Sequence, residues 1–389
     1  MATRTTTTRI TAVGPAPSAD DHAAAPAAFS FEDLVAAYFD CRRTKRNTPS
    51  ALAFEQQLER NLIQLHDELV AGEYSPRPSI CFVVTRPKPR EVWAATFRDR
   101  IVHHLLYRHI GPRAERSFIA DSCACIPGRG TLYAARRLEA KIRSATQNWT
   151  VPAYYLKCDL ANFFVTIDKG ILWDLLAPRI PESWWRALAH LVLFHDPRPD
   201  VVLQGARSLL ALVPPHKQLR RQAAHLGLPI GNLSSQFFAN VYLDALDRHV
   251  KHVLRARHYI RYVDDFILLH ESPGQLNAWL ADLTDFLPRT LGVQLNPRKT
   301  ILQPIARGVD FVGHVIKPWR RSLRRRTFNE ALARISGLDD DETYESGNSY
   351  FGLLRQAPAS HHDRARLANA LRRRGHSVNR SLTKVYRKP

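Results

Sequence analysis

The sequence lacks long apolar runs and has few cysteines. Across 389 residues, no apolar stretch approaches the roughly 18 residues of a membrane-spanning helix, so no membrane association by a spanning segment is expected. The five cysteines are an odd number without a C-x-x-C pair, and the 17 histidines show no H-E-x-x-H or zinc-finger spacing. Histidines such as His103 and His104 are instead expected on a helix surface. These absences argue against a disulfide framework and a zinc site, and they predict reduced thiols in a cytoplasmic protein.

Acidic residues are also scarce relative to basic ones. The chain has 56 Lys and Arg against 36 Asp and Glu, a formal net charge of +20. This charge suits a polyanionic partner, and such binding would weaken as the salt concentration rises. With 45% hydrophobic residues, the chain can bury a large core and is long enough for two or three subdomains.

The two ends of the chain differ from its centre. Residues 1–29 are mostly Thr, Ala and Pro, without the apolar core of a signal peptide, and predict a disordered lead. Residues 30–78 predict an N-terminal helical region, with a first helix starting at Ser30 and a second from about 50 to 70. Residues 318–380 are basic and helical in pattern, and 381–389 predict a mobile basic tail.

Residues 258–270 read HYIRYVDDFILLH, two apolar arms with Asp264 and Asp265 between them. The arms are rich in β-branched and aromatic residues, which predicts a β-hairpin with the two carboxylates at its tip. A solvated turn is the alternative interpretation, because Asp-Asp is common in turns.

A second stretch, YYLKCDLANFFVTI at 154–167, places Asp159 near the end of an apolar strand pattern. Asp159 could meet Asp264 and Asp265 on one sheet. Three such carboxylates would hold a pair of Mg²⁺ ions, which prefer oxygen ligands. Two ions of this kind stabilise both the attacking and the leaving oxygen of an in-line phosphoryl displacement. The two stretches together therefore predict a site for nucleotide addition.

The same residues carry a family resemblance. Tyr262-Val263-Asp264-Asp265 resembles the YxDD signature of reverse transcriptases, and Asp159 with Phe164 resembles their first catalytic motif. The likeness spans roughly residues 87 to 316. It implies an α+β fold of the right-hand polymerase type: fingers and palm, an antiparallel sheet plus helices, over 79–317, and a small α-helical basic thumb over 318–380.

The resemblance also implies roles for the matching residues. Asp159, Asp264 and Asp265, with the carbonyl of Leu160, are expected to bind two Mg²⁺ ions. Lys299 resembles the fourth-motif lysine and is expected to protonate pyrophosphate, while Phe164 is expected to exclude a 2′-hydroxyl. The expected nucleotide-binding set is Phe164, Arg98, Arg129, Gly231 and Gln236, and the expected template- or primer-binding set is Lys88, Arg90, Ser235, Tyr262 and Gly313. Which of the basic residues grip template and which grip triphosphate stays open.

The second motif, Ile230 to Gln236, reads IGNLSSQ. A glycine-rich turn leading into a core helix is the alternative interpretation of these residues, but their position between the two acidic motifs favours a functional role. Their I/L/V-G-x-x-x-S-Q form resembles the reverse transcriptases of diversity-generating retroelements, which copy a template repeat with errors at adenines. An aliphatic residue at position 230 would remove a hydrogen bond that helps to check base identity, so reduced fidelity is expected. The implied partners are an RNA template, a DNA or RNA primer, deoxynucleoside triphosphates and a small basic accessory protein.

Two alternatives remain. One is a phage-defence or group II intron-like reverse transcriptase. The other is a catalytically silent RNA-binding protein on a polymerase scaffold. Retention of all three acids argues against silence, and loss of activity in Asp264→Ala would separate an enzyme from a silent scaffold.

Overall fold

The computed structural model describes residues 28–43, 45–86 and 88–387, so most of the predicted disordered lead lies outside the described residues. The chain divides into two units. The first contains residues up to 119 together with 160–248 and 285–294, and the second contains 120–159, 249–284 and 295 onward. This division interrupts the single block predicted for 79–317, because 120–159 and 249–284 cluster with later residues.

Helices and strands alternate irregularly along the chain. The helices are α1 (Phe31–Arg42), α2 (Pro49–Glu55), α3 (Leu58–Val70), α4 (Phe97–Glu115), α5 (Thr131–Ala145), α6 (Phe163–Thr166), α7 (Lys169–Leu176), α8 (Ser183–Phe194), α9 (Leu233–Arg248), α10 (Pro273–Leu291), α11 (Arg325–Gly337), α12 (Asp340–Leu354) and α13 (His361–Arg373). The strands are β1 (Ser79–Val84), β2 (Arg90–Ala94), β3 (Tyr154–Asp159), β4 (Val201–Leu203), β5 (His258–Tyr262), β6 (Asp265–His270), β7 (Ile301–Pro304), β8 (Val309–Phe311), β9 (His314–Lys317) and β10 (Arg320–Leu323). No helix in the described part of the chain is both long and apolar enough to span a membrane.

Local sequence signals account for the first helices, with one correction. Ser30 caps α1 in a reciprocal capping box with Asp33, as the sequence indicates. The second predicted helix, however, is two helices, because Gln57 leaves the helical region at φ −132° and ψ 50°. The Asn61 side chain donates to the Phe54 carbonyl at 2.8 Å, which satisfies a backbone acceptor freed by the break.

The first unit holds a three-stranded sheet in the order β2-β1-β4. β1 and β2 pair antiparallel, but β1 and β4 pair parallel, with Ser79 opposite Val201. The sheet is therefore mixed, whereas the resemblance implied antiparallel pairing. A parallel partner so distant in sequence has no local signature, because its register depends on the intervening chain.

The second unit contains two antiparallel sheets, one of four strands in the order β5-β6-β3-β7 and one of three in the order β10-β9-β8. Leu138 and Ile142 of α5 share a core with Ile260, Ile267 and other buried residues of both sheets. Helices packed on antiparallel sheets confirm the α+β class.

The C-terminal helices α11, α12 and α13 enclose a hydrophobic cluster of their own, to which Phe328, Phe351 and Leu367 contribute. The predicted tail joins this cluster. Val385 is fully buried, and its amide donates to Asn348 Oδ1 at 3.1 Å. The expectation of a mobile tail is therefore wrong for residues 381–387, because an apolar side chain and a backbone hydrogen bond attach it to α12.

Candidate active site

The acidic hairpin predicted from the sequence is present. β5 and β6 pair antiparallel, Tyr262 lies opposite Asp265, and Val263 with Asp264 forms the two-residue connection. The arms are buried: Ile260 and Ile267, which lie opposite each other, are both fully inaccessible to solvent. Burial of the arms therefore holds the acidic tip in place.

Asp159 and Asp265 face each other across two paired strands. They are Cα partners at the end of the antiparallel β3–β6 ladder, so their side chains lie on the same face of the sheet. Asp264 precedes Asp265 directly in the turn. The structure thus brings Asp159 together with Asp264 and Asp265, which follow it in the sequence by about 105 residues. Like charges at this spacing repel and need compensation.

Two lysines supply that compensation. Lys299 Nζ donates to both carboxylate oxygens of Asp159 at 2.7 Å. Lys157 Nζ lies 3.1 Å from Asp265 Oδ2 and donates to the Asp310 carbonyl at 3.0 Å. Lys157 is not among the site residues predicted from the sequence. It lies two residues before Asp159 and therefore on the same face of β3. That spacing is the signal that could have found it.

Burial raises the pKa of Asp265 to about 6, with smaller contributions from Asp264 and Asp159, while Lys157 opposes the shift. Burial also raises the pKa of the neighbouring Cys158 thiol to about 12. Asp265 Oδ1 is buried and accepts no hydrogen bond from the residues that the structure describes. Burial of an unpaired carboxylate oxygen beside two further carboxylates costs free energy when no cation is bound. The same arrangement suits a cation, which carboxylate oxygens can ligate.

The donor chemistry at the acids fits Mg²⁺, which takes carboxylate oxygens. In the described conformation, however, the lysines engage Asp159 and Asp265. Within the described ranges, no three or more His, Cys, Asp or Glu side chains form a ready-made metal cluster. Leu160, whose carbonyl was expected to assist, is buried in the first unit.

The second-motif loop is held beside the end of β2 by one backbone and one side-chain hydrogen bond. The Ile230 carbonyl accepts from the Trp93 amide at 2.7 Å, and Asn232 Oδ1 accepts from the Ala95 amide at 3.0 Å. Gly231 has φ +129°, and a Cβ there would lie 2.8 Å from Val92 Cγ1. Glycine at position 231 is thus required by the backbone itself. Asn232, which the sequence did not single out, anchors the loop.

Three further predicted residues of the first unit, Ser235 and Gln236 of this motif and Phe164 of the first motif, differ in exposure. Gln236 is exposed on α9, whereas Ser235 is buried there, with 2% of its surface accessible. Phe164, in α6, is partly exposed, and its carbonyl accepts from the Leu228 amide at 2.8 Å. The side chains of Gln236 and Phe164 are therefore accessible to solvent, whereas that of Ser235 is not, and the roles assigned to all three stay predictions.

The basic candidates of the first unit also separate. Lys88 and Arg90 are exposed where β1 connects to β2. Arg98 is buried, and its guanidinium binds Glu68 and Asp99, the latter at 3.0 Å. The charge of Arg98 is therefore already compensated by these two acids. Its assignment to nucleotide binding stays a prediction.

Three predicted residues remain in the second unit. Arg129 donates to the Ser122 carbonyl at 2.8 Å, and the next residue, Gly130, is the N-cap of α5 and makes no side-chain cap hydrogen bond. Tyr262 is partly buried and packs against the core of both sheets. Gly313 has φ +84° in the turn between β8 and β9, where a methyl group added at its Cα would have no described atom within 4 Å. The roles assigned to these residues stay predictions.

Comparison with known proteins adds a family assignment. A sequence model described as "Reverse transcriptase (RNA-dependent DNA polymerase)" matches residues 86–316. The putative COX1/OXI3 intron 2 protein of Saccharomyces cerevisiae is 21% identical, over 43% of this chain and 24% of its own length. The chain thus spans about a quarter of that relative.

Two solved structures are also similar. One is telomerase from Candida albicans in complex with a fragment of telomeric RNA, at 12% identity and a TM-score of 0.48, covering 76% of this chain and 55% of that one. The other is apo telomerase from Candida tropicalis, at 12% identity and a TM-score of 0.46, covering 64% of this chain and 56% of that one.

Proposed function

The chain belongs to the reverse transcriptase (RNA-dependent DNA polymerase) family, and from that premise we propose that it copies an RNA template into DNA. Family membership carries with it the right-hand polymerase fold, which is the fold class expected from the sequence. The observation that supports the activity best is the placement of Asp159 opposite Asp265, with Asp264 beside it at the hairpin tip.

The proposed chemistry assigns a task to each acidic-site residue. Two bound Mg²⁺ ions would stabilise the attacking 3′-hydroxyl and the leaving pyrophosphate. Asp159, Asp264 and Asp265, with the Leu160 carbonyl, would hold them. Lys299 would leave Asp159 as the ions bind, and its ammonium would donate a proton to the departing pyrophosphate. Binding of substrates therefore rearranges an ion pair that already exists.

Residues away from the acids would select and hold the substrates. Phe164 would lie under the sugar and exclude a 2′-hydroxyl, which favours deoxynucleoside triphosphates. Gly231 and Gln236 would face the nucleotide, and Tyr262 with Gly313 would hold the primer end. The net charge of +20 supports a polyanionic template and primer.

The activity is tested by primer extension. Purified protein is incubated with a primed RNA template, four deoxynucleotides and Mg²⁺, beside Asp264→Ala. Metal-dependent cDNA from the unchanged protein, lost in the variant, is the expected result. Absence of product together with tight, unchanged RNA binding by both proteins would instead support a silent RNA-binding scaffold.

We propose further that the enzyme is error-prone and belongs to a diversity-generating retroelement. Ile230 supports this, because its side chain offers no hydrogen bond to a nascent base pair, and its backbone is fixed by the bond to Trp93. Sequencing of the cDNA tests the proposal. Errors concentrated opposite template adenines are expected. A uniformly low error rate would contradict it.

An intron-type reverse transcriptase is the second candidate. The observation favouring it is the similarity to the putative COX1/OXI3 intron 2 protein, whose name places it in an intron. This candidate and the first share the polymerase chemistry but differ in fidelity. An even, low error rate, together with extension through a structured RNA, would favour the intron-type candidate.

The partners and location follow from the first candidate. A diversity-generating enzyme would work with a small basic accessory protein, and co-purification after co-expression tests that partnership. All five cysteines are free thiols, four of them buried, which supports a reducing, cytoplasmic location. Cell fractionation with an antibody to the chain tests the location.

A further inference from the structure

Arg261 is a fully buried cation inside the acidic hairpin. It is in β5, one residue before Tyr262, and none of its surface is accessible to solvent. Its Nη1 donates to the Val263 carbonyl at 3.1 Å, and its Nη2 donates to Ser122 Oγ at 2.8 Å. A charged group is buried only where other interactions replace its hydration, and these two hydrogen bonds contribute to that replacement.

The first acceptor belongs to a strained residue. Val263 has φ +56°, in the left-handed region, where a β-branched side chain is an outlier. Glycine or asparagine normally occupies such a position in a two-residue hairpin connection. The sequence here uses valine, so some other interaction must hold the connection in this conformation. The Arg261 guanidinium is bound to the carbonyl of that same residue.

The second acceptor belongs to a segment outside the hairpin. The Arg261 amide donates to the Asp121 carbonyl at 2.9 Å, and its carbonyl accepts from the Cys123 amide at 3.0 Å. Ser122 thus runs beside Arg261 as a parallel bridge. Arg129 fixes Ser122 in turn, by donating to its carbonyl at 2.8 Å. One end of the guanidinium is therefore anchored to a neighbouring segment while the other holds the turn.

We propose that Arg261 is a positioning residue that holds Val263 in its left-handed conformation and so fixes where Asp264 and Asp265 present their carboxylates. This inference rests on the proposed function in one respect only, the use of those carboxylates to bind metal ions. Without the donor at its carbonyl, Val263 relaxes toward negative φ, which rotates the following peptide and displaces Asp264. Lysine cannot replace arginine fully, because the planar guanidinium reaches two acceptors in fixed directions and an ammonium is a point charge.

The test combines two substitutions in a cycle. Arg261→Met removes the donors but keeps an apolar stem, and Val263→Gly makes positive φ inexpensive. Each variant and the double variant are compared for Mn²⁺ binding to the free protein, by electron paramagnetic resonance, and for hydrogen exchange in residues 258–270. Arg261→Met is expected to weaken Mn²⁺ binding at least fivefold and to speed exchange at the hairpin tip. Adding Val263→Gly is expected to recover at least half of that loss on a logarithmic scale.

Arg179→Met is the matched control. Its guanidinium also donates to a backbone carbonyl and a serine, at 3.1 Å to Leu175 O and 3.1 Å to Ser117 Oγ, and it lies in the first unit. It pairs in addition with the buried Asp244 at 2.7 Å. The substitution should therefore lower the unfolding temperature without changing Mn²⁺ binding. Wild-type Mn²⁺ binding in Arg261→Met, or no recovery in the double variant, would overturn the proposal.

Two provisions keep the result interpretable. If Arg261→Met does not fold, Arg261→Lys takes its place in the cycle. It keeps the charge but lacks the planar guanidinium that reaches Val263 O and Ser122 Oγ in two fixed directions. A loss of Mn²⁺ binding that Val263→Gly recovers therefore supports the proposal, and unchanged binding overturns it. Neither readout requires polymerisation. An unchanged protein that makes no cDNA would therefore contradict the proposed function, while the Mn²⁺ and exchange data would still decide the role of Arg261.

Discussion

Lys299 donates to both carboxylate oxygens of Asp159, each at 2.7 Å. The lysine side chain is half exposed, so this pair is weak by the standards of buried ion pairs and can open at modest cost. The oxygens it binds are the ones proposed to hold a metal ion. An ammonium and a divalent cation therefore compete for Asp159, and the same lysine becomes available when the cation binds.

Removing that competitor should separate binding from turnover. Lys299→Met is expected to tighten Mn²⁺ binding to the free protein by about two- to fivefold, the equivalent of an exposed ion pair. It should also lower kcat by about 10²-fold, because the proton donor is lost. Arg298→Met, which removes an adjacent exposed charge whose backbone amide bonds Asn296, is the control. Equal effects in both variants would reduce Lys299 to a general electrostatic role.

Lys157 should control the acid limb of the pH profile. Its ammonium opposes the rise of the Asp265 pKa, which stands at about 6. Because the ionised carboxylate binds the cation, the rate at subsaturating Mg²⁺ should rise with pH through about 6. Lys157→Met removes the opposing charge, so the pKa of Asp265 rises further and the midpoint should move upward by about 1 unit. An unmoved midpoint would show that Lys157 does not act on Asp265.

Phe164 should set the choice of sugar. Phe164→Val is expected to raise the relative kcat/KM for ribonucleotides over deoxynucleotides by about 10-fold or more, because a pocket wall that excludes one hydroxyl is shortened. Competition between the two nucleotide types in primer extension measures the ratio. Phe163→Leu is the control: that neighbouring ring is buried, so the change should cost stability and leave the ratio alone.

His103 should make the fold sensitive to acid. Although His103 and His104 were expected on a helix surface, His103 is buried in α4, where its ring lies 3.3 Å from Ser234 Oγ, and burial lowers its pKa to about 4. Between pH 6.5 and pH 4, His103 is therefore protonated in the unfolded chain but neutral in the folded chain. Stability is full above pH 6.5 and falls through that window, by at most about 3 kcal/mol.

Unfolding measured from pH 8 to pH 4 tests this linkage. His103→Leu should flatten the dependence, whereas His252→Leu, at an exposed position, should leave it unchanged. A second histidine contributes as well, since partial burial also lowers the pKa of His258 to about 4. A slope that is identical in all variants would exclude His103 as a source of acid sensitivity.

Features that depend on neighbouring residues could be predicted from the amino-acid sequence. The alternating arms around Asp264 and Asp265 specified the hairpin, because side chains of a strand alternate between its faces. Ser30 specified a helix start, because its side chain accepts a hydrogen bond from the amide three residues ahead. Those patterns, together with the family resemblance, were enough to select the acids that the structure brings together.

Which distant residues meet was visible only in the folded chain. Three features join segments that are far apart in sequence: the register that sets Asp159 against Asp265, the lysines that pair with these two acids, and the anchoring of Arg261 on Ser122. The burial of His103 is of the same kind, since its surroundings come from other elements. Each such pairing depends on how the whole unit packs. A local sequence pattern shows which face of an element is buried, but it does not identify the distant residue that packs against that face.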